Sequence, residues 1–174
     1  YAYDTLGRLT EVIEASGDIT RYSYDKVGNR ISITNARGKT TYFEYDTVNR
    51  LSQRTDPIGN AVSYQYDAVG NCIQVNKPDG SVITYAYDAL NRLVEISYPP
   101  GSSVTYQYDA NGNRIQMNDS LGLSTWSFDA LDRMVSYSDP FGKEIQYSYD
   151  ANSNRSELTY PGGRTVQYDY DTAN

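Results

Sequence analysis

The chain has 174 residues, 39% hydrophobic and 21% charged, with a net charge of −7, which is enough for a folded domain and argues against a nucleic-acid or anionic-membrane partner. It contains no histidine and one cysteine, Cys72, so histidine-based catalysis, histidine metal ligation, an internal disulfide and a thiolate cluster are all excluded. No apolar run is long enough to span a bilayer, and 19 Tyr stand against 3 Phe and 1 Trp.

The chain opens Tyr1-Ala2-Tyr3-Asp4, without Met, basic leader or apolar segment; the expectation is a removed signal or an excised piece. From there an aromatic residue followed by Asp recurs at Asp4, Asp25, Asp46, Asp67, Asp88, Asp109, Asp129, Asp150 and Asp171, spaced by 21 residues with a single step of 20 between Asp109 and Asp129. The residue before each Asp is Tyr, or Phe128 once, and the residue two positions before that one is again aromatic: Tyr22 with Tyr24, Phe43 with Tyr45, Tyr85 with Tyr87, Trp126 with Phe128. A fixed period of this length marks a repeat architecture in which each repeat is one supersecondary unit.

Within each repeat the residues ahead of Asp alternate. Val82, Thr84 and Ala86 interleave with Ile83, Tyr85 and Tyr87, and the stretch from Val104 to Tyr108 does the same, which predicts a strand. One face carries both aromatics with Val62, Ile83, Val104, Ile145 or Val166; the other carries Ser23, Gln65, Gln107, Ser148 or Gln167 and is wet. After the Asp comes Gly7, Gly28, Asn49, Gly70, Asn91, Gly112, Asp132 or Ser153 three residues on, a type I turn signature in which the Asp side chain accepts from the turn backbone. A second strand follows, such as Leu93 to Tyr98, and ends at a second glycine: Gly17, Gly38, Gly59, Gly80, Gly101, Gly122, Gly142 or Gly163. Pro-Asp-Gly at Pro78 to Gly80 and its counterparts predict hairpin turns with Gly at positive φ. The fold expected is all-β, one array over 1–174 of antiparallel hairpins in a curved meander of about sixteen strands.

A finer alternation runs through the array. Arg lies four residues after the Asp at Arg8, Arg50, Arg92 and Arg133, but five after it at Arg30, Arg114 and Arg155, where an Asn such as Asn29 reads as inserted before it; Cys72 takes the Arg position of the fourth repeat. The expectation is that alternate turns differ by a bulge and that the structural unit is two hairpins.

Tyr-Asp-x-x-Gly-Arg-Leu and Tyr-Asp-x-x-Gly-Asn-Arg at a period near 21 resemble the YD repeats of the rearrangement-hotspot (Rhs) family, over essentially the whole chain. That family includes bacterial polymorphic toxins and wall-associated proteins, the encapsulating subunits of insecticidal toxin complexes, and the teneurins. The resemblance implies a strip of hairpins wound as a spiral into a hollow β-shell, which in the toxins encloses a C-terminal toxic domain. It implies a secreted or bacterial cell-surface protein, with the remainder of its own chain and an encapsulated toxin domain as partners. The plug, self-cleavage core and toxin domain of full family members have no counterpart here, and the chain starts and stops inside a repeat, at Tyr1 and Asn174; a fragment of a larger chain is expected.

Tested against chemistry, the repeated residues read as structural. The Asp residues lack an Asp-x-Asp-x-Asp-Gly loop and are expected to cap turns. The arginines are expected to stack on aromatic rings or bond turn carboxylates between adjacent hairpins. The Tyr columns line a core or lumen, or alternatively form a platform that stacks sugars. The repeat is therefore defined by Tyr24, Asp25, Gly28, Arg30 and Gly38; by Tyr66, Asp67 and Gly80; by Tyr85, Tyr87, Asp88 and Arg92; and by Tyr108, Asp109 and Arg114. No catalytic, metal or cofactor site is expected, because a catalytic constellation breaks repetition. The function expected is a non-catalytic scaffold, with a glycan or surface-ligand binding module as the alternative. An isolated fragment is expected to self-associate through open strand edges or its Tyr-rich faces.

Overall fold

The structure is a computed structural model describing residues 1–171, none of which is helical; Asn174, where a repeat was expected to be cut, lies outside the described residues. The chain divides into two compact units, Tyr1–Thr84 and Tyr85–Asn174. The first holds β1 (Ala2–Tyr3), β2 (Leu9–Ile13), β3 (Ile19–Tyr24), β4 (Arg30–Thr34), β5 (Thr40–Tyr45), β6 (Leu51–Thr55), β7 (Ala61–Tyr66), β8 (Cys72–Asn76) and the start of β9 (Val82–Tyr87). The second holds the end of β9, then β10 (Leu93–Tyr98), β11 (Ser102–Tyr108), β12 (Arg114–Asp119), β13 (Gly122–Phe128), β14 (Met134–Ser138), β15 (Glu144–Tyr149), β16 (Arg155–Thr159) and β17 (Thr165–Gln167). In each unit every strand pairs antiparallel with the next in sequence, as in Glu11 opposite Arg21 and Glu95 opposite Thr105. The all-β hairpin meander is thus the observed fold.

In the first unit both sets of turns share one backbone. At Asp4 the Gly7 amide donates to the Asp4 carbonyl and the Asp4 amide to the Arg8 carbonyl; at Glu14, Gly17 and Asp18 repeat the pattern. This is a type I turn closed by a residue at positive φ. Glycine fills that place at Gly28 (φ 104) and Gly80 (φ 81), whereas Asn49, Asn91, Asp132 and Ser153 hold it at φ between 58 and 70.

One expectation is corrected. The bulge does not distinguish alternate turns. In β3 and β4, Ser23 faces Ser32 but Tyr24 faces Arg30, leaving Ile31 as the extra residue; in β5 and β6, after the other kind of turn, Glu44 faces Gln53 but Tyr45 faces Leu51, leaving Ser52 extra. The same shift recurs at Gln65/Tyr66, Gln107/Tyr108, Ser127/Phe128 and Ser148/Tyr149. Asn29 is therefore no insertion: it occupies the place that Arg8 and Arg50 hold, and the 21-residue period is unbroken there.

Side-chain alternation follows the sequence. Ser23, Gln65, Gln107 and Ser148 are exposed while Tyr22, Tyr24, Tyr64 and Tyr66 are half-buried. Among the described residues the buried apolar side chains are Ile83 (7% exposed) in the first unit and Leu158 (8%) in the second. The aromatic face is thus half-covered, with arginine side chains lying over several of its rings.

Candidate functional site

Each repeated Asp organises its own turn. Asp4 Oδ1 accepts from the amides of Leu6 and Arg8, both at 2.9 Å, and its Oδ2 accepts from Arg8 Nε at 2.7 Å. Asp46, Asp88 and Asp129 repeat this with Arg50, Arg92 and Arg133. At Asp25 the Oδ1 bonds are to the amides of Val27, Gly28 and Asn29, and Oδ2 accepts from Asn29 Nδ2 instead of a guanidinium. Asp67, Asp109 and Asp150 use Asn71, Asn113 and Asn154 in the same way. The backbone thus repeats every hairpin while the side-chain network repeats every two, which is the sense in which the unit is a pair of hairpins.

These bonds set the carboxyl electrostatics. The Arg8 amide, and then its guanidinium, hold the Asp4 carboxyl below its usual 3.8. For Asp129 the Arg133 side chain is the leading cause. Desolvation pushes Asp25 up, but the combined bonds from Asn29, Gly28 and Val27 outweigh it and the net shift is downward. All these groups therefore stay ionised near neutrality, unsuited to donate or abstract protons there.

The arginines join one hairpin to the next. Arg8 Nη1 donates to the Asp25 carbonyl at 2.8 Å while its guanidinium lies 4.8 Å from the centre of the Tyr24 ring. Arg50 takes the Asp67 carbonyl and the Tyr66 ring, and Arg92 takes the Asp109 carbonyl and the Tyr108 ring. The carboxylate an Arg bonds is that of its own turn; what it reaches in the adjacent hairpin is a backbone carbonyl and a ring. The second set of arginines covers the other aromatic column. Arg30 lies over Tyr22 and Phe43 at 5.9 and 5.4 Å, and Arg114 over Tyr106 and Trp126 at 5.6 and 4.6 Å. Ring stacking is thus common to both sets of arginines, while carboxylate bonding is made by the first set and within its own turn, not between adjacent hairpins as expected.

Two devices escaped the sequence. The hydroxyl of the Tyr before each Asp reaches back 15 residues to the carbonyl of the first residue past the previous Asp turn: Tyr24 to Leu9, Tyr45 to Arg30, Tyr66 to Leu51, Tyr108 to Leu93, each at 2.8 to 3.0 Å. That carbonyl sits beside the bulge, where the ladder is interrupted. Secondly, the non-glycine residues at positive φ bond the preceding turn: Asn49 Oδ1 accepts from Asn29 Nδ2, and Asp132 Oδ1 from Asn111 and Asn113. The mixture of Gly and Asn in one column was the available signal.

Of the other repeat residues, Gly38 and Gly80 close the opposite turns, Tyr85 and Tyr87 lie in β9, and Asp88 starts the turn after it. Among the described residues no group of three or more acidic, Cys or His side chains is placed to hold a metal, and no helix is long and apolar enough to cross a membrane.

A family model described as RHS Repeat matches residues 3–40, 45–82, 66–102, 87–125, 108–144 and 128–165. No curated protein matches the chain significantly. Among solved structures, the chain is similar to one of TcdB2-TccC3-TEV, with TM-score 0.76 and 15% identity over 96% of this chain and 12% of the other. It is similar to TcdB2-TccC3 without its hypervariable C-terminal region, with TM-score 0.76 and 16% identity over 95% and 11%. A third is the Photorhabdus luminescens Tc holotoxin pore, with TM-score 0.70 and 17% identity over 86% and 9%. At these identities the likeness is one of fold, and the chain spans about a tenth of each of those chains.

Proposed function

Because the chain belongs to the RHS repeat family, we propose that it is a non-catalytic section of wall, one continuous array within a longer secreted or surface polypeptide whose β-shell encloses a C-terminal toxin domain. The observation that carries this reading is the lateral network. Tyr24, Asp25, Gly28 and Arg30, and their counterparts around Asp67, Asp88 and Asp109, are committed to closing a turn or fastening it to the adjacent hairpin. Such fastening suits a surface that must be wide, thin and continuous. Fold likeness to chains of a Tc holotoxin and of TcdB2-TccC3 supports the architecture of such a wall. The wall reading is favoured over a glycan platform because guanidinium groups lie over rings of both aromatic columns and the Tyr hydroxyls are taken up by backbone carbonyls.

Limited proteolysis of the full-length polypeptide tests it. A C-terminal cargo should resist cleavage while the shell is intact and become cleavable once acid or denaturant opens it. Cargo cleaved at the same rate in the intact and opened states would contradict enclosure.

A further inference from the structure

The hairpin of β12 and β13 departs from the repeat at three places. Asp119 faces Gly122 with only Ser120 and Leu121 between them, a shorter tip that accounts for the 20-residue step. Trp126, the chain's one tryptophan, and Phe128 stand where most repeats have Tyr. A self-consistent pattern gives way where something besides folding is served. Both aromatic departures line one shallow depression of about 370 Å³, together with Tyr108, Asn113 and Arg114.

Arg114 is the one charged residue among these five, and it is exposed. Its guanidinium lies 5.6 Å from the centre of the Tyr106 ring and 4.6 Å from that of Trp126, so its plane is engaged and its N–H edge is left to bind. Elsewhere in this fold such an edge is completed by oxygen: Arg92 donates to Asp88 Oδ2 at 2.7 Å and to the Asp109 carbonyl at 2.9 Å. Among the described residues the Arg114 edge has no such acceptor. The carboxylate of its own turn, Asp109, is taken by the amides of Asn111 and Asn113 and by Asn113 Nδ2. An oxyanion from outside the chain would complete the fork.

The rest of the depression selects what carries that oxyanion. Phe128 brings an apolar ring, whereas the counterpart ring at Arg30 is Tyr45, whose hydroxyl bonds the Arg30 carbonyl. Among the described residues no guanidinium lies over Phe128. The other polar donors are spent: the Tyr108 hydroxyl on the Leu93 carbonyl, and Asn113 Nδ2 on Asp109 and Asp132. Trp126 is no free platform for a sugar, because its ring already meets Arg114 and, at 5.3 Å, Tyr137. One forked cation beside an apolar ring suits a carboxylate on an apolar body.

We propose that this depression binds a carboxylate carried on an aromatic or aliphatic body, with the Arg114 edge donating to the carboxylate oxygens and Phe128 against the body. The lining residues all belong to the second unit, and the site does not depend on the wall reading.

Trp126 reports on the site, since the chain has no other tryptophan. Phenylacetate should change its fluorescence saturably, with a dissociation constant on the order of 1 mM. The neutral amide phenylacetamide, and acetate, which lacks the ring, should each bind about tenfold more weakly or worse. Arg114→Gln should lose binding to the same degree with an unchanged β circular-dichroism spectrum, while Arg30→Gln, the equivalent change in the first unit, should bind as wild type. If Arg114→Gln fails to fold, the comparison of phenylacetate with phenylacetamide on wild type decides. N-acetylphenylalanine presents the same groups as a polypeptide C-terminus: tighter binding than phenylacetate identifies a chain end as the source, and weaker binding a free acid. The absence of a saturable response would overturn the proposal. So would acetate or phenylacetamide binding equally, Arg114→Gln binding like wild type, or Arg30→Gln losing binding as much.

Discussion

Arg8 and Tyr24 belong to successive hairpins, and the guanidinium of Arg8 lies 4.8 Å from the centre of the Tyr24 ring while the Tyr24 hydroxyl donates to the carbonyl of Leu9, the residue after Arg8. With the Arg8 bonds to Asp4 and to the Asp25 carbonyl, the two residues close a loop of contacts around the bulge. The loop ties the turn, the ring and the ladder defect into one element, so its parts should fail together.

Arg92 makes all of these contacts through one planar fork: Asp88 Oδ2, the Asp109 carbonyl and the Tyr108 ring. Arg92→Ala should destabilise on the order of 1–2 kcal/mol. Arg92→Lys should recover less than half of that, because an ammonium cannot fork and stack at once. Urea midpoints of the three proteins check this; full rescue by Lys would mean that charge alone matters.

Tyr66→Phe removes the bond to the Leu51 carbonyl and should destabilise by about 1 kcal/mol. Phe128 stands where other repeats have Tyr, beside a shallow surface depression it lines with Arg114 and Trp126. Phe128→Tyr should stabilise, by up to about 1 kcal/mol, if its hydroxyl finds the Arg114 carbonyl as Tyr45 finds that of Arg30. Calorimetry of both variants should show midpoint shifts of opposite sign.

Asn49 occupies φ 65 and accepts from Asn29 Nδ2 at 2.9 Å. Asn49→Gly trades the lateral bond for relief of backbone strain and should be near neutral. Asn49→Ala loses the bond and keeps the strain, and should destabilise by about 1–2 kcal/mol. Chemical denaturation ranks the two; equal effects would mean that the backbone strain at this position contributes nothing.

The turn carboxyls, from Asp4 to Asp150, have folded pKa values below the usual 3.8. A depressed carboxyl contributes stability that is present above its unfolded value and lost as pH falls through the folded one. The thermal midpoint should therefore hold from pH 7 to about 5, then fall steadily below about pH 4. A midpoint unchanged to pH 2 would contradict the capping role of these groups.

Much of this was legible because the chain aligns with itself. Period-two alternation around Tyr85 and Tyr87 placed the strands, and Asp followed by Gly28 or Asn49 placed the turns. The bulge was misread: the shift of Arg from four to five residues after Asp suggested an inserted residue, when it is an exchange of Arg50 for Asn71 on an unchanged backbone. The hydroxyl bond from Tyr24 to Leu9 was hidden because its acceptor is a main-chain carbonyl, which carries no side-chain signature. The half-buried aromatic face was only partly foreseen, since period two distinguishes one face from the other without saying what covers either.

Electron cryo-microscopy of the full-length polypeptide that carries these repeats is the most direct test of the wall. The hairpins should lie side by side in a continuous sheet bounding a closed interior, with polypeptide density inside. An open array with solvent on both faces and nothing enclosed would contradict it.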